Sequence, residues 1–382
     1  MINISKLWCG TPGSMDHLRY GGAVHQKPVV VWNSTRRCNL QCVHCYSKSE
    51  NKLYPNELTT SEAKSFVEDL AAFGVPVLLF SGGEPLLRKD LFEIAELATS
   101  KGIRAVLSTN GTLITENAAK QLKTAGFSYV GVSLDGIGET NNKFRGKENA
   151  FEAAVAGIRN CLKAGVKPGL RFTVTKYNYK DLPEIFDFIE AEKIPRACFY
   201  HLAYVGRGTS MAKDDLTHEQ TREFMDYILS KTEEFHQKKV NTEILTVDNH
   251  ADAAYLYLKL KEKDPQKAEE VMRLLKINKG NSSGQGIGCV DSTGWVHPDQ
   301  FWQLYSLGNI RERRFSQIWS DNSEPLLKAL RNRKEHLGGK CSQCRFLGIC
   351  NGNLRVRAEA TYSDIWAPDP ACYLTQQEIT PL

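Results

Sequence analysis

Three thiols dominate the N-terminal third of this chain. Cys38, Cys42 and Cys45 are spaced C-x3-C-x2-C. Three cysteines this close cannot pair off as disulfides, since one is always left over. They can reach three corners of one inorganic cluster. A cubane [4Fe–4S] centre takes four ligands, usually thiolates. Three from one loop leave one iron open to a ligand that is not protein, and an open position marks a reactive metal centre rather than a structural one. A second group, Cys341, Cys344, Cys350 and Cys372, has the pattern C-x2-C-x5-C-x21-C. Four thiolates can close a [4Fe–4S] cluster or a structural zinc site, and spacing alone leaves both open. Cys9, Cys161 and Cys289 stand apart; the first two read as buried thiols.

Composition narrows the class. The chain has 382 residues, enough for a large core and more than one domain. Hydrophobic residues make up 41% and charged residues 24%, a globular balance. No apolar run is long enough to cross a bilayer, and there is no signal-peptide pattern, so a cytoplasmic protein is expected. In that compartment cysteines point to metal or redox chemistry. A net charge of +5, from 49 basic and 44 acidic residues, is too mild to imply nucleic acid. No nucleic-acid or membrane partner is expected.

The elements that must position these thiols alternate. Short β-branched runs at residues 29–32, 75–80, 103–107, 129–134, 170–174 and 197–202 read as buried parallel strands. Helical stretches separate them, one opened by the capping box Thr59-x-x-Glu62 and closed at Gly74. Six strands alternating with helices predict an α/β fold with a parallel sheet. The distinctive motifs all fall at strand C-terminal ends, where barrel chemistry sits. They are the cysteine loop, Gly82-Gly83-Glu84-Pro85, Ser108-Thr109-Asn110 and Ser133-Leu134-Asp135. Residues 1–27 read as a docked N-terminal arm, 28–240 as the core, and 241–382 as a helical linker with the second cysteine group. The Gly- and Ser-rich stretch 280–288 reads as a mobile loop.

The C-x3-C-x2-C motif, followed by GGEP after one β/α unit, resembles the radical S-adenosylmethionine (SAM) superfamily. That resemblance implies a partial (β/α)6 TIM-type barrel, open on one side, with SAM chelated to the open iron of a [4Fe–4S] cluster held by Cys38, Cys42 and Cys45. It implies reductive cleavage of SAM to a 5′-deoxyadenosyl radical that takes a hydrogen atom from substrate. It places Gly82, Gly83 and Glu84 at the amino group of SAM, and Ser108 and Asn110 at its carboxylate or ribose. Ser133, Asp135 and Arg145 match further SAM-site positions, with Arg145 on the carboxylate, and Thr173 is a ribose candidate. His44 reads as packing near the adenine.

The C-terminal cysteines resemble the SPASM and twitch extensions of that superfamily, so an auxiliary [4Fe–4S] cluster on Cys341, Cys344, Cys350 and Cys372 is implied, two clusters in all. A full SPASM domain has a cysteine where this chain has Leu354, and another where it has Asp299. Cys289 is then a vestige of a lost site; a second auxiliary cluster using Asp299 or His297 is the competing reading. With the N-terminal arm, Val30-Val31-Trp32-Asn33-Ser34-Thr35 before the first cysteine and the lone auxiliary cluster, the whole chain is similar to the radical SAM enzymes of haem d1 and alternative haem biosynthesis, and Ile4-Ser5-Lys6-Leu7 with Cys9-Gly10-Thr11 tilts the resemblance to the alternative-haem side. On the alternative-haem side, the 12,18-didecarboxysirohaem deacetylases, this implies an iron tetrapyrrole substrate and loss of acetate side chains, giving iron-coproporphyrin III; on the haem d1 side, attack on propionates. A low-potential donor of flavodoxin or ferredoxin type is implied in either case. Arg19, Arg207, Arg311, Arg313 and Arg314 are candidate carboxylate partners. His25, His201, His250 and His297 are candidate iron ligands, with His201 favoured by its strand-end position. A peptide maturase and a plain iron–sulfur electron carrier are the other readings. The few residues ahead of the first strand weigh against a leader-binding maturase, and the SAM-site motifs against a carrier.

Overall fold

In a computed structural model the structure describes residues 1–11, 13, 16–21 and 27–380. The strands are β1 (Ile2–Asn3), β2 (Val29–Thr35), β3 (Val77–Gly82), β4 (Arg104–Thr109), β5 (Tyr129–Ser133), β6 (Pro168–Val174), β7 (Arg196–His201), β8 (Glu243–Val247), β9 (Ile287–Val290), β10 (Trp295–His297) and β11 (Gly308–Asn309). They make one sheet in the order β1-β8-β7-β6-β5-β4-β3-β2-β9-β10-β11. Neighbours from β2 to β8 are all parallel. Strands β2–β7 are the six expected ones and form the partial (β/α)6 barrel. Strand β8 extends it where a helical linker was expected. Its five residues are all buried, and Glu243 at its start bonds Arg196 at the start of β7.

The helices follow local chemistry. Helix α1 is Asp16–Tyr20 and α2 is Thr60–Phe73. Thr59 accepts from the Glu62 N–H while the Glu62 side chain returns to the Thr59 N–H. Gly74 ends α2 at φ +85°, a left-handed conformation that costs glycine nothing. Helices α3 (Leu91–Ser100), α4 (Glu116–Thr124), α5 (Glu139–Arg145), α6 (Ala150–Lys163), α7 (Leu182–Ala191) and α8 (His218–Gln237) complete the β/α alternation. Cys161 on α6 is fully buried, and burial pushes its thiol up to about 12.

The arm is docked. β1 pairs antiparallel with β8, and Ser5 accepts from the Ile244 N–H. Burial raises Cys9 to about 11. After β8 come α9 (Ala251–Lys263) and α10 (Pro265–Asn278). The stretch expected as a mobile loop is ordered instead. Asn281 and Ser283 are buried and bond the guanidinium of buried Arg333, and Ile287 already belongs to β9, which pairs with β2. The C-terminal region thus continues the barrel sheet through β9–β11. Among the described residues no helix is long and apolar enough to cross a membrane.

Candidate active site

The C-terminal ends of β2–β8 surround an open cleft with about 1060 Å³ of free space. Cys38, Cys42 and Cys45 line it. Their loop is fixed from three sides, by backbone hydrogen bonds and by one arginine side chain. On one side Gly83 donates to Thr35 O at 2.7 Å and Glu84 to Arg37 O at 2.8 Å. A Cβ on Gly83 would stand 2.2 Å from Arg37 O. On the second side Gln41 and Val43 donate to the carbonyls of Arg145 and Phe144 at the end of α5. On the third, Arg207 donates through its backbone N–H to Cys45 O (2.9 Å) and through its guanidinium to Cys42 O (2.7 Å) and Ser49 O (3.1 Å). Gly206, at φ +63°, lies beside the Tyr46 and Cys45 carbonyls. The sequence suggested that the GGEP glycines bring backbone close to a ligand; their tightest approach here is to the incoming strand of the cysteine loop.

Gly82, Gly83, Ser108, Asn110, Ser133, Arg145 and Thr173 all line this cleft. Glu84 and Asp135 stand behind it, fully buried. The Glu84 carboxylate accepts from Thr109 Oγ1 (2.7 Å), the Asn110 N–H (2.8 Å) and the Leu86 N–H (3.1 Å). Even so, burial raises its carboxyl above the usual range. Asp135 accepts from the Thr173 N–H at 2.7 Å. Its other oxygen meets Arg145 as a close ion pair rather than an aligned hydrogen bond, with His44 Nε2 at 3.5 Å. Arg145 also points a guanidinium N–H at Cys42 Sγ (3.7 Å), while Asn110 and the Leu40 N–H point at Cys38 Sγ (3.9 and 3.4 Å). His44 packs on Phe144, its ring centroid 4.7 Å away, and burial lowers it to about 4, so the ring is neutral.

This arrangement suits an iron–sulfur cluster. Burial pushes the Cys38 thiol up to about 12 and the Cys42 thiol upward as well. Such thiols ionise only against a strong positive partner such as iron. The donors aimed at both sulfurs are the contacts that tune a cluster. The second cysteine group has the closed counterpart. Cys341, Cys344, Cys350 and Cys372 line one small pocket of about 400 Å³ with Phe346, Leu347 and Leu374. Burial raises the first three thiols. Cys289 is elsewhere, fully buried on β9, and among the described residues its one hydrogen bond comes from Asn33 Nδ2 at 3.6 Å. Asp299 takes bonds from Ser283 Oγ and the Phe301 and Trp302 N–H groups, and His297 Nδ1 bonds Tyr305 O. His297 is the cross-strand partner of Cys289 and Asp299 is near enough to raise its thiol, but among the described residues neither hydrogen-bonds it.

Several substrate candidates lie elsewhere. Arg19 pairs with Asp16 and Glu243 at the opposite end of the sheet from the cleft. Arg207 holds the cysteine loop. Arg311 pairs with half-buried Glu62, Arg313 with Asp321, and Arg314 precedes the helix Phe315–Ser320. His250 and His297 do not line the cleft, and His25 lies outside the described residues. His201 does line it, with Nε2 2.9 Å from Asp252 Oδ2, whose other oxygen accepts from Tyr373 beside Cys372. Cleft residues that the sequence reading missed include Arg171, Tyr200, Asp248, Gln300 and Phe301. Arg171 donates to Ser108 Oγ and lies over the Tyr200 ring at 4.7 Å. Asp248 follows β8, so finding that strand would have placed it at a strand end.

Comparison with known proteins agrees with this geometry. The Radical SAM superfamily model matches residues 32–189, and the SPASM iron-sulfur cluster-binding domain model matches residues 281–345. The chain is 56% identical over 394 aligned residues to a Fe-coproporphyrin III synthase of Methanosarcina barkeri, covering 99% of both chains. It is 43% identical to a pre-heme d1 synthase of Dinoroseobacter shibae, covering 92% of this chain and 87% of that one. Two solved structures share the fold. They are Streptococcus suis SuiB bound to S-adenosylmethionine (TM-score 0.71, 20% identity, 91% of this chain and 77% of that one) and anSMEcpe with bound AdoMet and a peptide (0.69, 21%, 91% and 94%). The chain belongs to the radical SAM superfamily and carries its SPASM iron–sulfur extension.

Proposed function

We propose that this enzyme removes acetate side chains from 12,18-didecarboxysirohaem to give Fe-coproporphyrin III. The observation that carries the reading is the 56% identity to a Fe-coproporphyrin III synthase over 99% of both chains. The 43% identity to a pre-heme d1 synthase keeps a propionate-modifying reaction as the second reading. SAM and its [4Fe–4S] cluster, when bound, supply a 5′-deoxyadenosyl radical; the SPASM extension brings a further iron–sulfur cluster.

The chain's own residues then divide the work. Cys38, Cys42 and Cys45 hold the reactive cluster by three thiolates, and Gly82, Gly83, Ser108, Asn110, Ser133, Thr173 and Arg145 form the SAM wall. Glu84 and Asp135 position that wall: Glu84 ties β3 to β4, and Asp135 orients Arg145. Cys341, Cys344, Cys350 and Cys372 hold the auxiliary cluster, whose closed ligand set suits electron transfer. Arg171 replaces Arg19 and Arg207 as the carboxylate partner best placed in the cleft, since an Arg fork matches a carboxylate. We assign the chain a cytoplasmic location and a flavodoxin- or ferredoxin-type donor, on its cysteine usage and its need for strong reductant. Incubating the reconstituted enzyme anaerobically with SAM, dithionite and didecarboxysirohaem tests the reaction. Fe-coproporphyrin III is expected by mass; unchanged didecarboxysirohaem alongside accumulating 5′-deoxyadenosine refutes it.

A further inference from the structure

We propose that Asp248 is the proton donor that completes side-chain release, a catalytic residue that neither the motifs nor the family match designates. The inference rests on the acetate-removal reading. Asp248 sits just past the C-terminal end of β8 and lines the same cleft as the three cluster thiols. Its backbone is left-handed, at φ +67°. Aspartate is one of the few residues besides glycine that adopt this conformation readily, and here it sets the direction in which the side chain leaves the end of β8. The backbone is held there by its carbonyl, which accepts from buried Arg357 at 2.6 Å. Arg357 in turn bonds Asp369 and Leu202 O, so the C-terminal region fixes the turn. By contrast, no described side chain or N–H donates to the Asp248 carboxylate, although its neighbours are heavily bonded.

The surrounding groups are consistent with proton exchange. Removal from water raises this carboxyl to about 6, and Asp299 adds to the rise. The Met1 amino group, Arg357 and Arg171 oppose it. On the adjacent strand end Tyr200 and His201 are the other titratable groups of this wall: burial keeps the Tyr200 hydroxyl protonated, with Arg171 over its ring, and His201 Nε2 is already engaged by Asp252. A group poised near the working pH is the efficient choice for proton transfer.

The step balances as follows. Hydrogen-atom removal leaves an unpaired electron on the ring beside the acetate-bearing carbon. Homolysis of the bond from that carbon to the acetate CH2 pairs one electron into a ring double bond and frees a CH2–COO⁻ radical. That fragment takes one electron from the low-potential donor and one proton from the Asp248 carboxyl, and departs as acetate. The Asp248 carboxylate is reprotonated from solvent.

The test uses the reconstituted holoenzyme with SAM, dithionite and didecarboxysirohaem, counting 5′-deoxyadenosine, acetate and Fe-coproporphyrin III. Asp248→Asn keeps the shape, and Asn tolerates the left-handed backbone. The expected result is continued 5′-deoxyadenosine formation with acetate per 5′-deoxyadenosine reduced about 10²-fold or more, and recovery in Asp248→Glu. In the wild type that ratio falls as pH rises through about 6, and in Asp248→Asn it is flat. An unchanged ratio in Asp248→Asn overturns the proposal. Loss of 5′-deoxyadenosine formation with normal iron content also overturns it, because Asp248 then acts before the chemistry. If Asp248→Asn does not fold, the wild-type pH profile and Asp248→Glu decide: a flat profile in both overturns it. Wild-type enzyme that makes 5′-deoxyadenosine but no acetate sinks the acetate-removal reading instead.

Discussion

Asp135 and Arg145 form a buried ion pair at the edge of the cysteine loop, and separating them has a calculable consequence. Asp135→Ala removes the carboxylate that neutralises Arg145 and accepts from the Thr173 N–H. Breaking a buried pair by deleting one partner costs about 3–5 kcal/mol, since the survivor is an uncompensated charge. Arg145→Met leaves Asp135 with its Thr173 bond and His44 Nε2 at 3.5 Å, so its cost belongs at the lower end of that range. The double variant removes both charges. Its cost is set mainly by packing, because neutral replacements of a buried pair are often tolerated. The expected coupling is about 3 kcal/mol or more, with the double variant no more destabilised than the worse single. Thermal unfolding of anaerobic holoenzyme, followed by circular dichroism with iron counted before and after, measures it. Because Arg145 also reaches Cys42 Sγ, both singles are expected to lose first-site iron more readily than the auxiliary iron. Strictly additive losses would mean the pair is not coupled in the fold, and the reasoning fails.

The remaining outcomes concern the clusters and their frame. Replacing any one of Cys341, Cys344, Cys350 or Cys372 by Ser is expected to lower iron from about eight to about four atoms per chain while SAM binding survives. Cys289→Ser is expected to leave iron unchanged at about eight atoms, since among the described residues that thiol's one hydrogen bond comes from Asn33; a wild-type content near about twelve that falls toward about eight in the variant would restore Cys289 as a ligand. Gly206→Ala puts a methyl 2.3 Å from Tyr46 O, so the loop must shift, and first-site reconstitution should drop while auxiliary iron holds. Glu84→Gln should destabilise the fold by about 1–3 kcal/mol by turning one acceptor into a donor against Thr109 or Asn110. Its folded carboxyl lies above the usual range, so wild-type Glu84 takes stability away as pH rises from the unfolded value through the raised one. Glu84→Gln should therefore flatten that limb, which unfolding midpoints from pH 4 upward would show.

Much of the site was legible because ligand chemistry is local. A cluster loop needs its thiols within a few residues, so Cys38, Cys42 and Cys45 identify themselves. Likewise GGEP at a strand end marks a place where backbone must pass closely. The missed cleft residues lack such a local mark. Arg171 is an ordinary inward-facing strand residue, and Gln300 and Phe301 reach the cleft only because β9 pairs with β2 and brings the C-terminal region alongside. Strand β8 was missed because five residues between two helices carry little periodicity. The arginines were misplaced because a charge in sequence does not say which partner it meets: Arg19 found Glu243, and Arg207 found the carbonyls of the cysteine loop.

The sequence alone determined the β/α alternation, the two cysteine groups and the strand ends that carry chemistry, because hydrophobic period and ligand spacing are properties of neighbours along the chain. Only the tertiary structure decided which charges face the cleft and which brace its wall. That choice is made by pairing at long range, where burial forces every carboxylate and guanidinium to find a partner. Asp248, in the cleft wall, is an exception: among the described residues no donor hydrogen-bonds its carboxylate.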